Sequence, residues 1–132
     1  MADYQSDREC FHRSQRLLNA GDFQQVFDNT QLKASTRELL ILGAANSLGH
    51  SRIGFIIAKK NIRRAVQRNR IRRIIREYFR VHCHELNAHN AVDLVIMARK
   101  GFDQLSNSEI NSTFSSLWNK LVRQSDDPKR RR

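Results

Sequence analysis

The sequence predicts an α+β fold: a single-domain α/β sandwich in which one sheet carries helices, in the order α-β-β-β-α-β-α with a short first strand. Three observations carry this prediction. Residues 36–45 and 52–58 are β-type runs separated by Asn46, Ser47, Leu48 and Gly49, a turn signal. A third apolar run, residues 91–98 (AVDLVIMA), follows a long segment of helical periodicity. Further helical stripes stand before the first strand and after the last. One sheet with helices packed on it is the economical way to bury all of these stripes. At 132 residues, without repeats or a Gly/Ser linker, one domain with one modest core is expected.

Residues 1–13 are polar and are expected to be poorly ordered. Asn19 then offers an N-cap, with Asp22 at the third helical position, a variant capping box. Phe23, Val26 and Phe27 follow at i, i+3, i+4, which predicts a short helix. Residues 32–35 suit a short strand. The turn at residues 46–49 predicts that 36–45 and 52–58 pair as antiparallel neighbours. From Ala65 onward a helix is expected, because Ile71, Ile74, Ile75, Tyr78, Phe79 and Leu86 fall on one side of the wheel. Ser106 and Glu109 have the spacing of a capping box. They open a last helix with the stripe Ile110, Phe114, Leu117, Trp118, Leu121 and Val122. The domain is assigned residues 1–124, and residues 125–132 a disordered charged tail.

The longest apolar run, residues 39–45, falls well short of the ~18 residues of a membrane span. The polar N-terminus does not read as a signal peptide. Cys10 and Cys83 do not make a disulfide framework and fit a reducing cytoplasm. Carboxylates are scattered along the chain rather than clustered as metal-dependent nucleases require. No Gly-rich phosphate loop or G-x-S-x-G motif occurs. His82, Cys83 and His84 suggest zinc, but residues two apart on a helix do not share a face. The residues read as a binding module with no catalytic group.

The chemistry is concentrated in residues 59–80, KKNIRRAVQRNRIRRIIREYFR. Ten Lys and Arg stand there against the one acid Glu77, in a chain of net charge +11. An ordinary solvated face mixes signs, whereas Arg68, Arg72, Arg76 and Arg80 stack like charges at i,i+4. That arrangement costs helix stability unless a polyanion neutralises it. Arg rather than Lys favours phosphate, which the planar guanidinium binds in a bidentate fork. The apolar face is of the core type rather than the membrane-surface type. RNA or DNA is therefore the expected partner, and no helix-turn-helix spacing supports DNA.

In this stretch, with its Lys59-Lys60 entry and its Arg68-Asn69-Arg70 motif, the chain resembles the protein subunit of bacterial ribonuclease P. The likeness runs upstream through residues 46–54 and the helix carrying Phe23 and Phe27, and downstream to Ala98-Arg-Lys-Gly101. The resemblance implies a left-handed β-α-β crossover, against the general right-handed rule. It also implies a cytoplasmic accessory subunit of an endoribonuclease. In that enzyme a catalytic RNA subunit, holding the Mg²⁺ ions, removes the 5′ leader of precursor tRNA and leaves a 5′ phosphate. Lys59, Lys60, Arg64, Arg68, Asn69, Arg70, Arg72, Arg73 and Arg76 would dock on the catalytic RNA. Phe23 and Phe27, in the cleft between the first helix and the sheet, would hold the single-stranded leader. No membrane or DNA partner is implied. The alternative is a general RNA-binding or RNA-chaperone protein, which shares the basic helix but gives no reason for a leader cleft. A self-sufficient nuclease is the remaining reading.

Overall fold

The computed structural model describes residues 19–46, 50–87 and 91–125. The expectations for residues 1–13, for Cys10, for 47–49 of the turn and for 126–132 lie outside them. Helix α1 (Ala20–Asp28) leads into strands β1 (Leu32–Ser35), β2 (Leu39–Ala45) and β3 (Arg52–Ile57). Helix α2 (Ala65–His82) and the one-turn α3 (His84–Asn87) precede β4 (Val92–Ala98). A short 3₁₀ turn (Phe102–Gln104) and helix α4 (Asn107–Ser125) complete the order.

Both predicted helix starts are capped as the residues suggested. Asn19 Oδ1 accepts the Asp22 N–H at 2.9 Å. At the other end of the chain the capping box is reciprocal. The Ser106 N–H donates to Glu109 Oε1 at 2.8 Å, and the Glu109 N–H donates to Ser106 Oγ at 3.2 Å. Helix α4 runs through Ser125, whose hydroxyl donates to the Val122 carbonyl, so the helix reaches one residue into the segment assigned to the tail.

The sheet has the order β1-β2-β4-β3. β1 and β2 are antiparallel, as are β2 and β4, whereas β3 lies parallel to β4. This corrects the expectation that residues 36–45 and 52–58 are neighbouring strands, because β4 is inserted between them. The reason is burial. Val92, Leu94, Ile96 and Ala98 fill one face of β4 while Asp93 and Val95 are buried on the other, so the strand belongs in the interior of the sheet. β3 and β4 are thus joined across the sheet by the α2 segment. Residues 36–38, expected as strand, form the β1–β2 turn, closed by the Thr36 N–H to the Leu39 carbonyl at 2.7 Å.

The main core lies on one face of the sheet, where Ile71, Ile75 and Phe79 of α2 meet Ile110, Phe114, Leu117, Trp118 and Leu121 of α4. Gly43 of β2 faces this core, where a Cβ would come within 3.0 Å of Leu94 Cδ2 and 3.2 Å of Leu32 Cβ. Gly101 turns the chain out of β4 at φ +98°, a conformation that disfavours other residues. On the opposite face α1 covers a smaller cluster of Val26, Ala44 and Val95. At the outer edge, the Gln124 side chain of α4 accepts the Lys33 N–H (3.0 Å) and donates to the Lys33 carbonyl (2.8 Å) of β1.

Candidate nucleic-acid interface

The turn before α2 is fixed from within. Ile62 is fully buried, and the N–H groups of Asn61 and Ile62 both donate to the Ala58 carbonyl at 3.0 Å. Lys59 and Lys60 are left exposed on its surface. Arg68 reaches back and donates to the carbonyls of Ile62 and Arg63, each at 2.9 Å. One predicted contact residue thus braces the loop that presents the others.

Helix α2 starts at Arg64, in extended conformation, with no side-chain cap and no acid in its first turn. Its N-terminus therefore keeps the positive end of the helix dipole beside the exposed Arg63 and Arg64, an arrangement that favours anions. Asn69 and Arg73 are exposed one and two turns further on. Arg72 is half-buried, and its guanidinium donates to Asn69 Oδ1 at 3.2 Å. Arg76 lies over the Phe55 ring, 5.4 Å from its centroid, at the β3 edge of the sheet.

Arg70 differs from its neighbours. It donates to Gln67 Oε1 (2.8 Å), Asn107 Oδ1 (2.7 Å), the Asp103 carbonyl (3.0 Å) and the Leu105 carbonyl (3.1 Å). Its guanidinium ties α2 to the loop that opens α4. The structure therefore brings Lys59, Lys60, Arg64, Asn69, Arg72 and Arg73 to a solvent-facing basic surface, while Arg68 and Arg70 hold that surface in shape. Val66, 66% exposed among these cations, was missed by the sequence reading. Its signal was an apolar residue standing off the buried stripe.

Phe23 and Phe27 flank Val26 on α1 but differ in environment. Phe23 is half-buried against the small cluster, whereas Phe27 is 39% exposed. On the sheet beside them lie Leu42, Ile56 and Met97, partly buried residues from three strands. These also escaped the sequence reading. Their signal was the second apolar face of β2, β3 and β4.

One polar network pins α1 to the sheet. Arg52 makes a bidentate pair with Asp93, Nε to Oδ1 at 2.9 Å and Nη2 to Oδ2 at 2.6 Å, and its Nη2 also lies 3.4 Å from Asp22 of α1. Asn46 Nδ2 donates to Asp93 Oδ1 at 2.7 Å. The hydrogen bonds that Arg52 donates to Asp93 hold its guanidinium above its ordinary pKa despite the opposing effect of burial.

The acids are placed for internal work. Asp22 and Asp93 face Arg52, Glu109 caps α4, and Glu77 is held below the usual carboxylate range by its hydrogen bond from Arg80. Among the described residues, no three His, Cys, Asp or Glu side chains converge to hold a metal ion. The carboxylates present do not suit a Mg²⁺ site. His82 stacks on Tyr78 at 4.0 Å between ring centroids. No described helix is long and apolar enough to cross a membrane.

The family model described as Ribonuclease P matches residues 11–122. The chain belongs to the ribonuclease P protein family. The ribonuclease P protein component of Proteus mirabilis is 47% identical over 114 residues, spanning 86% of this chain and 92% of the relative. That of Chromohalobacter salexigens is 45% identical over 111 residues, 84% of each chain. The fold is also that of the Staphylococcus aureus ribonuclease P protein, at TM-score 0.71 and 27% identity over 82% of this chain and 97% of that one. The Thermotoga maritima ribonuclease P protein shares the fold, at TM-score 0.66 and 23% identity over 82% of this chain and 96% of that one. The function of the chain is that of the family, the protein subunit of the ribonuclease P ribonucleoprotein in tRNA 5′ processing.

Proposed function

We propose that the chain is an accessory subunit with two RNA surfaces and that the RNA subunit, with its Mg²⁺ ions, performs the hydrolysis. The basic surface of α2 and its entry turn docks on the RNA subunit. Lys59, Lys60, Arg64, Asn69, Arg72 and Arg73 meet phosphates, and Arg68, Arg70 and Arg76 keep the surface in register. The cleft between α1 and the sheet holds the unpaired 5′ leader of precursor tRNA, with Phe27 as its most exposed aromatic. Stacking tolerates any base, which suits a subunit that must accept many leaders.

The observation that carries this reading is the separation of the two surfaces by the sheet. The basic helix lies on one side and the aromatic cleft on the other, so both RNAs can be bound at once. The protein then adds leader contacts that mature tRNA lacks, and its charge relieves repulsion between the two RNAs. The reaction proceeds in the cytoplasm.

The test is to combine precursor tRNA with the protein, with the RNA subunit, and with both at low Mg²⁺. Cleavage at the leader junction is expected with both, and none with protein alone. Phe27→Ala is expected to lower the preference for precursor over mature tRNA by about 5- to 10-fold, leaving affinity for the RNA subunit unchanged. Cleavage by the protein alone would overturn the assignment of chemistry to the RNA.

A further inference from the structure

A groove of about 550 Å³ runs along the flank of α2 that faces α4, away from the leader cleft. Ile74, Tyr78 and His82, spaced by four residues, line it beside the parallel row of Arg73, Glu77 and Val81. Asn111 of α4 forms the facing wall. Val81 is 39% exposed there. Tyr78 is held from below by edge-on contacts to Phe114 and Trp118 and by a hydrogen bond to Ser115 Oγ at 3.2 Å. His82 continues the ring stack outward, with Nδ1 3.7 Å from Glu85 and 34% of its side chain exposed.

We infer that this groove takes unpaired nucleotides of the RNA subunit, with a base stacked in line with Tyr78 and His82 and the adjoining phosphate at Arg73. The inference rests on the docking reading above and adds to it a site that reads bases rather than charge. Three features select this occupant over a peptide or an apolar ligand. The rings are pre-stacked and rigidly backed, so a further planar group adds to the stack at little entropic cost. The groove is continuous with the basic surface through Arg73, which belongs to both. Its charge is graded as well. Arg73 lies toward the N-terminal half of α2, about 13 Å along the axis from His82, at 1.5 Å per residue. The carboxylate of Glu77, engaged by Arg80, and the negative end of the helix dipole lie toward His82. Phosphate is therefore favoured at the Arg73 end and an uncharged base at the other. The Asn111 amide can donate to and accept from a base edge.

The experiment titrates labelled RNA subunit with wild-type protein and with His82→Ala, His82→Phe, Asn111→Trp and Arg72→Ala at several salt concentrations. Thermal unfolding of each variant is followed in parallel. His82→Ala is expected to weaken binding about 5- to 100-fold without changing the salt dependence, and His82→Phe to retain affinity. Asn111→Trp, an exposed substitution that fills the groove, is expected to weaken binding with unfolding unchanged, and it decides the matter if His82→Ala folds poorly. Arg72→Ala is expected to lower both affinity and the salt slope. Wild-type affinity in the His82 and Asn111 variants, with loss in Arg72→Ala, overturns the groove and leaves docking by α2 standing. Wild-type affinity in all four overturns both. A His82→Phe variant as weak as His82→Ala, or a changed precursor preference with unchanged RNA-subunit affinity, also overturns the groove site.

Discussion

On one face of the sheet Phe79, Phe102, Phe114 and Trp118 are fully buried against Ile41, Leu94 and Ile96. On the other, among the described residues, Val26 of α1 is buried with Ala44 and Val95, and Phe23, Leu42, Ile56 and Met97 are half-covered. Among the described residues the first face is covered by two helices of 18 and 19 residues and the second by one of nine. Where apolar contact is sparse, the Arg52–Asp93–Asp22 network takes over the attachment of α1, and it is directional where apolar packing is not. The difference teaches that α1 is positioned by a polar clamp at one end as much as by its apolar contacts.

The comparison is broken most severely on the thick side. Phe79→Ala is expected to cost about 3–5 kcal/mol in urea unfolding, because a fully buried ring leaves a cavity. On the thin side, Asp93→Ala removes the bidentate partner of a largely buried guanidinium and one of the two acceptors of the Asn46 amide. A loss of about 3 kcal/mol is expected, with the amides of α1 exchanging first in hydrogen-exchange measurements. If α1 carries the proposed leader surface, precursor preference should fall in that variant even though Asp93 lies beneath α1.

A finer contrast lies within α2. Arg70→Ala abolishes four internal hydrogen bonds, and a loss of about 1–3 kcal/mol is expected in the same assay. Arg72→Ala should leave stability within about 0.5 kcal/mol and act on RNA affinity instead. Equal stability losses in the two would erase the distinction between bracing and contacting arginines.

The smallest effect is at the entry to α4. Hydrogen bonds from the Ser106 backbone and hydroxyl hold Glu109 below its ordinary pKa. The unfolded chain therefore binds the proton more readily. The contribution of Glu109 is fully present above the ordinary carboxylate pKa of about 4.3 and fades as pH falls through the lower folded value. A pH series of unfolding midpoints should show that acid-side slope reduced in Glu109→Gln.

What could be read in advance was whatever depends on residues close in the chain. The Asn19 cap, the Ser106–Glu109 box and the stripe of α4 stand in the structure as read, and the stripe of α2 does so as far as Phe79, Leu86 lying on the separate α3. The pairing of β2 with β4 could not be read so, since it depends on which strand is apolar on both faces and not on the turn at residues 46–49. The same limit applies to the arginines. In sequence Arg68, Arg70 and Arg72 are equivalent members of a charge run. Only the approach of the Asp103 and Leu105 carbonyls, more than thirty residues on, separates Arg70 from Arg72.

The double hydrogen bond between Gln124 and Lys33 bears on a different matter, the edge of the sheet. β1 ends the sheet, and an open strand edge is a template on which another chain can add. The Gln124 amide presents one acceptor and one donor in the positions a fifth strand would use. It thereby ends the ladder with a side chain instead of a backbone. A last helix built chiefly to fill the core thus also occupies the backbone groups of Lys33 on the edge strand.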